Sequence, residues 1–261
     1  HEFFVHAQQG AQVLRYQVHG QEPVIWMSEE AAFEAGNSVR GGIPVCWPWF
    51  GRQGQSADVP AHGLVRTARW ELLQASQRDD GEVELQLAPA PGADHGLRLQ
   101  MQLRIGRQLR QQLTTENTGP SPVAFTQALH SYFAISDIQQ VRLHGLDGCR
   151  YIETLEDWAE RRQQGDLGFA GETDRIYLDV PARLELLDHG WQRRLLLEVS
   201  GSRSAIVWNP WIDKAGRLSQ FAADAWQRML CIETANVWDD CLQLAPGERH
   251  CLSLRLSSQA L

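Results

Sequence analysis

The chain has 261 residues, 43% of them hydrophobic and 21% charged, enough apolar sequence to bury a substantial core. A net charge of -8 and a pI near 5.6 exclude nucleic acid as the main partner, because phosphate backbones are bound through clustered positive charge. No apolar run approaches the roughly 18 to 20 residues of a membrane span, and no basic stretch followed by an apolar block opens the chain, so a soluble, unexported, cytoplasmic protein with no membrane partner is expected.

The first segment to depart from ordinary composition is SVRGGIPVCWPWFG, Ser38 to Gly51. Gly41 and Gly42 suit a tight turn, Trp47, Trp49 and Phe50 suit a core, and Arg40 is the one charge. AHGLVRTARW, Ala61 to Trp70, groups His62, Arg66 and Arg69. If Arg66 to Arg69 is a strand, the two arginines face opposite sides and only one reaches a given pocket.

Period-2 alternation then marks VELQL (Val83 to Leu87) and LRLQMQLRI (Leu97 to Ile105) as strands with one wet face. ALHSYFAI, Ala128 to Ile135, places His130 inside an apolar and aromatic strand. TLEDWAERRQQ, Thr154 to Gln164, reads as a short helix with Thr154 as cap and Asp157 near the first turn. RLELL (Arg183 to Leu187) alternates again, WNPWI (Trp208 to Ile212) reads as a packed loop, and MLCIETANVW (Met229 to Trp238) carries Glu233 in apolar surroundings. LSLRL, Leu252 to Leu256, closes the series. Turn signals separate the runs at Asp80-Gly81, Asn117 to Pro120, Asp147-Gly148, His189-Gly190 and Pro246-Gly247. Alternating strands joined by frequent turns predict an all-β chain of large antiparallel sheets, with residues 1–261 forming one domain.

Five cysteines, Cys46, Cys149, Cys231, Cys241 and Cys251, form neither a C-x-x-C pair nor a zinc-spaced Cys/His cluster, and read as reduced structural thiols. Lys214 is the only lysine, so an arginine in this chain carries little information without its context. A lone histidine such as His130 is more often a hydrogen-bonded core residue than a catalyst. An ionised glutamate on an apolar strand, however, needs a partner, and a histidine beside Glu233 would make an acid/base couple.

Taken in order, R-G-G-I-P, H-G-x-x-R, L-H-x-Y-F, E-T-D-x-I-Y, W-N-P-W and C-I-E resemble the hexose-6-phosphate mutarotases, the glucose-6-phosphate 1-epimerases of the aldose 1-epimerase superfamily. The resemblance implies a galactose-mutarotase-like β-supersandwich; a monomer is expected. It also implies a small-molecule substrate, a hexose 6-phosphate, whose anomers are interconverted without a metal or organic cofactor. It assigns His130 and Glu233 to catalysis, Arg40 and Arg66 to the sugar phosphate and Asp174 to the sugar, with His62 as a further pocket residue. Opening a cyclic hemiacetal needs a base on the anomeric hydroxyl and an acid on the ring oxygen, which gives those roles to Glu233 and protonated His130 respectively. Ala61 stands where relatives often have glutamine, and Thr234-Ala235-Asn236 follows the glutamate where many have proline, which puts substrate preference in question. A non-catalytic sugar-binding protein would keep the tryptophans and arginines without needing His130 or Glu233. A glycoside hydrolase would need a second carboxylate, for which Asp174 could serve, but would leave the histidine without a role.

Overall fold

Alternation at Leu97–Ile105 and its neighbours produces strands whose leucines point one way and whose arginines point the other. The computed structural model describes residues 1–6, 8–52, 54–92 and 96–261, and among these it shows two eight-stranded antiparallel sheets. The second sheet runs, edge to edge, through Val141–His144, Arg183–Asp188, Arg193–Ser200, Arg249–Ala260, Leu109–Asn117, Leu97–Ile105, Val83–Pro89 and Trp70–Gln77. All four alternating runs read from the sequence lie in it.

The first sheet runs through Ala159–Arg162, Arg150–Glu153, Thr173–Leu178, Ser204–Asn209, Met229–Asn236, Gln127–Leu129 and Val45–Cys46, with Tyr132–Ala134 also paired to Met229–Asn236. Its central strands, Ser204–Asn209 and Met229–Asn236, are buried at every position. Leucines of the second sheet such as Leu103 and Leu113 join Val207 and Ile232 of the first in one buried cluster. Each such side chain contributes about 1.5 to 3 kcal/mol by leaving water. Trp47, 1% exposed, donates its indole N–H to Thr115 Oγ1 at 3.1 Å, so its one polar atom in the core is satisfied from the second sheet.

Thr154 to Gln164 is not a helix. Residues 155–158 form a turn that joins Arg150–Glu153 to Ala159–Arg162 in a hairpin. Asp157 and Trp158 take positive φ of 50° and 61°, which ends any α-helical ladder. Leu155 and Trp158, which a helix would place on one apolar face, are 46% and 51% exposed at the rim of a cleft, and pairing of Arg150–Glu153 with Thr173–Leu178 prevails. The α-helix among the described residues is Trp211–Ala215. Arg66 and Arg69 do not lie on a strand either; residues 65–67 turn.

Candidate active site

His130 is not inside a strand but at a two-residue break between Gln127–Leu129 and Tyr132–Ala134. Leu129 pairs with Thr234 and Tyr132 with Cys231, so the register is unchanged across the break and His130 stands opposite Glu233. The other edge of the break is held by the glycine-rich segment: His130 donates its backbone N–H to Pro44 O, and Tyr132 donates to Gly42 O, both at 2.9 Å. Gly41 has φ of 107°, and a Cβ there would come within 2.7 Å of Met27 Cα, so only glycine lets this backbone approach. The segment thus carries Arg40 to the cleft and also clamps the strand break that holds His130.

Pairing across Thr173–Leu178, Ser204–Asn209 and Met229–Asn236 sets out two adjacent rows on one sheet face. One row is Ile176, Ile206 and Glu233; the other is Asp174, Trp208, Cys231 and Tyr132. These rows, with Cys231 buried beneath, floor a cleft of about 480 Å³. His130 Nε2 lies 3.3 Å from Glu233 Oε1, while Glu233 Oε2 and His130 Nδ1 are buried without a hydrogen-bond partner. The His130 ring stacks on Tyr132 at 4.9 Å and meets the edge of Trp208 at 6.4 Å, which fixes its plane.

Burial pushes the Glu233 carboxyl well above the usual carboxylate range, helped by the Asp174 charge and opposed by Arg66. Burial pushes His130 well below the usual imidazole value, and His62, Arg66 and Arg40 add to it. Both shifts act in one direction: burial disfavours the ion pair and favours the uncharged forms of Glu233 and His130. Burial likewise keeps Cys231 a thiol rather than a thiolate.

His62 lines the cleft with its ring 5.8 Å from His130 and 4.7 Å from Phe50. Its Nδ1 accepts the Gly51 N–H at 3.3 Å, which leaves the proton of neutral His62 on Nε2. Burial, then Arg66 and Arg40, lower its pKa to about 3. Arg40 lines the cleft and donates to the Tyr132 hydroxyl at 3.3 Å. Arg66 stands behind the lining, with Nε buried and unpartnered, yet its charge acts on Cys46, His62, His130, Tyr132 and Glu233. Among the described residues neither arginine pairs with a carboxylate. Arg69 is exposed and away from the cleft.

Asp174 lines the opposite part of the cleft and is held by residues that the sequence reading did not assign to the site. Lys214 Nζ lies 3.6 Å from Asp174 Oδ2 and 2.8 Å from Glu172 Oε1, and Thr154 donates its hydroxyl to the Asp174 carbonyl at 2.8 Å. Tyr132, Trp208 and Phe50 also line the cleft, although Phe50 reads as core in the sequence. The two-residue spacing from His130 was a signal for Tyr132; the sole lysine, six residues after Trp208, was a signal for Lys214.

A cleft on a large antiparallel sheet, with a carboxyl and an imidazole in contact and aromatic rings beside them, can carry general acid/base chemistry on a sugar ring. The aldose 1-epimerase family matches residues 4–257, and the chain belongs to that family. The chain is 31% identical over 254 residues to a protein of Cenchrus ciliaris named "Putative glucose-6-phosphate 1-epimerase", covering 92% of this chain and 76% of that one. A Salmonella typhimurium protein of the same name is 32% identical over 234 residues, covering 87% of this chain and 78% of that one. A crystal structure described as "a putative mutarotase (YeaD) from Salmonella typhimurium" superposes with a TM-score of 0.89 at 28% identity, covering 97% of this chain and 86% of the other. The protein is an epimerase that interconverts sugar anomers on a galactose-mutarotase-like fold, and the sugar-binding alternative without catalysis is not favoured.

Proposed function

We propose that the substrate is a hexose 6-phosphate, chiefly glucose 6-phosphate, with its anomeric carbon between Glu233 and His130 and its phosphate toward Arg40 and Arg66. The observation that carries this reading is the pair of arginines beside the acid/base couple, without a carboxylate partner among the described residues. Guanidinium groups take a phosphate dianion through charge-assisted hydrogen bonds, and a chain of net charge -8 otherwise repels one. His62 adds an Nε2–H donor on the same side, and Asp174 receives sugar hydroxyls at the other.

The anomeric O1–H approaches Glu233 Oε2, the oxygen with no protein partner. Accepting that hydrogen bond favours the carboxylate, and its proton passes to His130 across the 3.3 Å contact. Glu233 then removes the O1 proton while His130 protonates the ring oxygen. The C1–O5 bond breaks, C1=O1 forms, and the pair returns to the uncharged state that burial favours. Rotation about C1–C2 presents the other carbonyl face. O5 attacks it, returning its proton to His130 as Glu233 returns one to O1. One proton thus circulates within the pair, and nothing is consumed.

Freshly dissolved α-glucose 6-phosphate, followed by exchange NMR with and without protein, tests this. Anomer exchange should accelerate above the buffer rate, and more for glucose 6-phosphate than for glucose. Exchange at the buffer rate overturns the reaction; equal acceleration of both sugars overturns the phosphate site.

A further inference from the structure

Lys214 is the chain's only lysine, and it sits in the cleft. Its place is set by the W-N-P-W corner. Asn209 is fully buried; its side-chain amide donates to Trp226 O at 2.8 Å and Met229 O at 2.9 Å, and its side-chain oxygen accepts Trp211 N–H at 2.9 Å. That corner starts the short helix Trp211–Ala215 and directs Lys214 back over Trp208, with Nζ 5.9 Å from the indole centroid. Nζ then lies 2.8 Å from Glu172 and 3.6 Å from Asp174. An exposed ion pair would contribute little to stability. These side chains are 27% to 30% exposed at the cleft, which directs attention to the chemistry rather than to the fold.

We propose that Lys214 is a positioning residue of this epimerase: bridging Glu172 and Asp174, it holds the Asp174 carboxylate in the cleft as the hydrogen-bond acceptor for a sugar hydroxyl. This deepens the reading of the site given above and rests on it. Asp174 is pressed upward by burial and by Glu172, and Lys214 and the Thr154 hydroxyl oppose that rise. Without the lysine, Asp174 takes up a proton at higher pH and presents a donor where the sugar needs an acceptor. Asp174 also raises the Glu233 carboxyl, so Lys214 partly screens the base from a second negative charge. The groups acting on Glu233 from the packed elements are His130, Asp174 and Arg66, with Cys46 and Cys231 beneath as neutral thiols.

The test compares Lys214→Met and Lys214→Arg by kcat and KM for glucose 6-phosphate across pH. Lys214→Met should raise KM about tenfold, the scale of one hydrogen bond to a charged group. The acidic limb of its kcat/KM profile should move upward by about one pH unit, since losing a nearby cation raises a carboxyl pKa. Lys214→Arg should restore both. In an Asp174→Asn background, Lys214→Met should add nothing further, because the carboxylate it holds is gone. A Lys214→Met enzyme with wild-type KM and pH profile, or an equal effect of the lysine change with and without Asp174, overturns the role. Thermal midpoints of both variants should match wild type; a fall that tracks the kinetic loss overturns it in favour of a structural ion pair. Wild-type protein without any acceleration would instead remove the epimerase reading underneath.

Discussion

The two eight-stranded sheets share antiparallel pairing but are built from different sequences. In the second, Leu97–Ile105 and Leu109–Asn117 alternate between buried and part-exposed or exposed positions, with leucines inward and arginines outward. In the first, Ser204–Asn209 and Met229–Asn236 are buried at every position, and the buried residues include Glu233, Thr234 and Asn236. A sheet with one wet face uses its polar residues for solvation. A sheet whose second face is covered by the cleft's own walls must satisfy every polar group inside, so the polar groups it leaves unmatched are the ones available to a substrate. Asn236 is matched at both ends, its Oδ1 accepting from Gln127 Nε2 and its Nδ2 donating to Gly201 O, each at 2.9 Å; Glu233 Oε2 has no partner and faces the cleft.

If this division is right, changes on the two sheets should separate activity from stability. The largest effect belongs to the first sheet: Glu233→Gln and His130→Ala should each slow anomer exchange by about 10² to 10⁴-fold, the range of one acid/base group, with the thermal midpoint close to wild type. A fully active variant at either position would refute the assignment. On the second sheet the pattern reverses, and Leu113→Ala should cost about 2 to 5 kcal/mol in urea unfolding while kcat is kept at temperatures where the variant is folded.

Arg66→Ala sharpens the comparison at the cleft margin. Its KM for glucose 6-phosphate should rise about tenfold or more, as expected for loss of a charged hydrogen bond, with little change for glucose. An equal change for both sugars would mean that Arg66 does not read phosphate. The smallest effect is pH dependence. Folded His62 takes up its proton near pH 3, against 6.5 for an ordinary histidine, so between those values the unfolded chain binds more protons and stability falls as pH falls. His130, also lowered, acts with the same sign; Glu233, raised, acts with the opposite one. His62→Asn, a residue that tolerates the φ of 65° at this position, should flatten the fall in thermal midpoint below pH 6.5 relative to wild type. Parallel curves would show that His62 is not buried neutral.

Period-2 patterning was enough to place Val83–Pro89, Leu97–Ile105, Arg183–Asp188 and the middle of Arg249–Ala260 as strands, because one wet face writes alternation into sequence. It was silent on Met229–Asn236, where both faces are covered and nothing alternates. The helix expected at Thr154 to Gln164 failed because propensity and a cap are weak against strand pairing on a neighbouring edge. Phe50 read as core because an aromatic beside tryptophans carries no mark that its face is turned to a cavity.

Residue types, and the family resemblance carried by motif order, were sufficient to select His130, Glu233, Arg40, His62 and Asp174, all of which line one cleft, and Arg66, which does not line it but whose charge acts on Glu233. What the sequence alone could not supply was their relation. His130 and Glu233 are 103 positions apart, and only an unbroken register across the interruption at His130 and Ser131 sets them opposite each other at 3.3 Å. Their protonation, the screening of Asp174 by Lys214 and the position of Arg66 behind the cleft all depend on burial and on distances of a few ångströms. Those quantities belong to the packed sheets, since Coulomb and desolvation energies follow spatial separation and not separation along the chain.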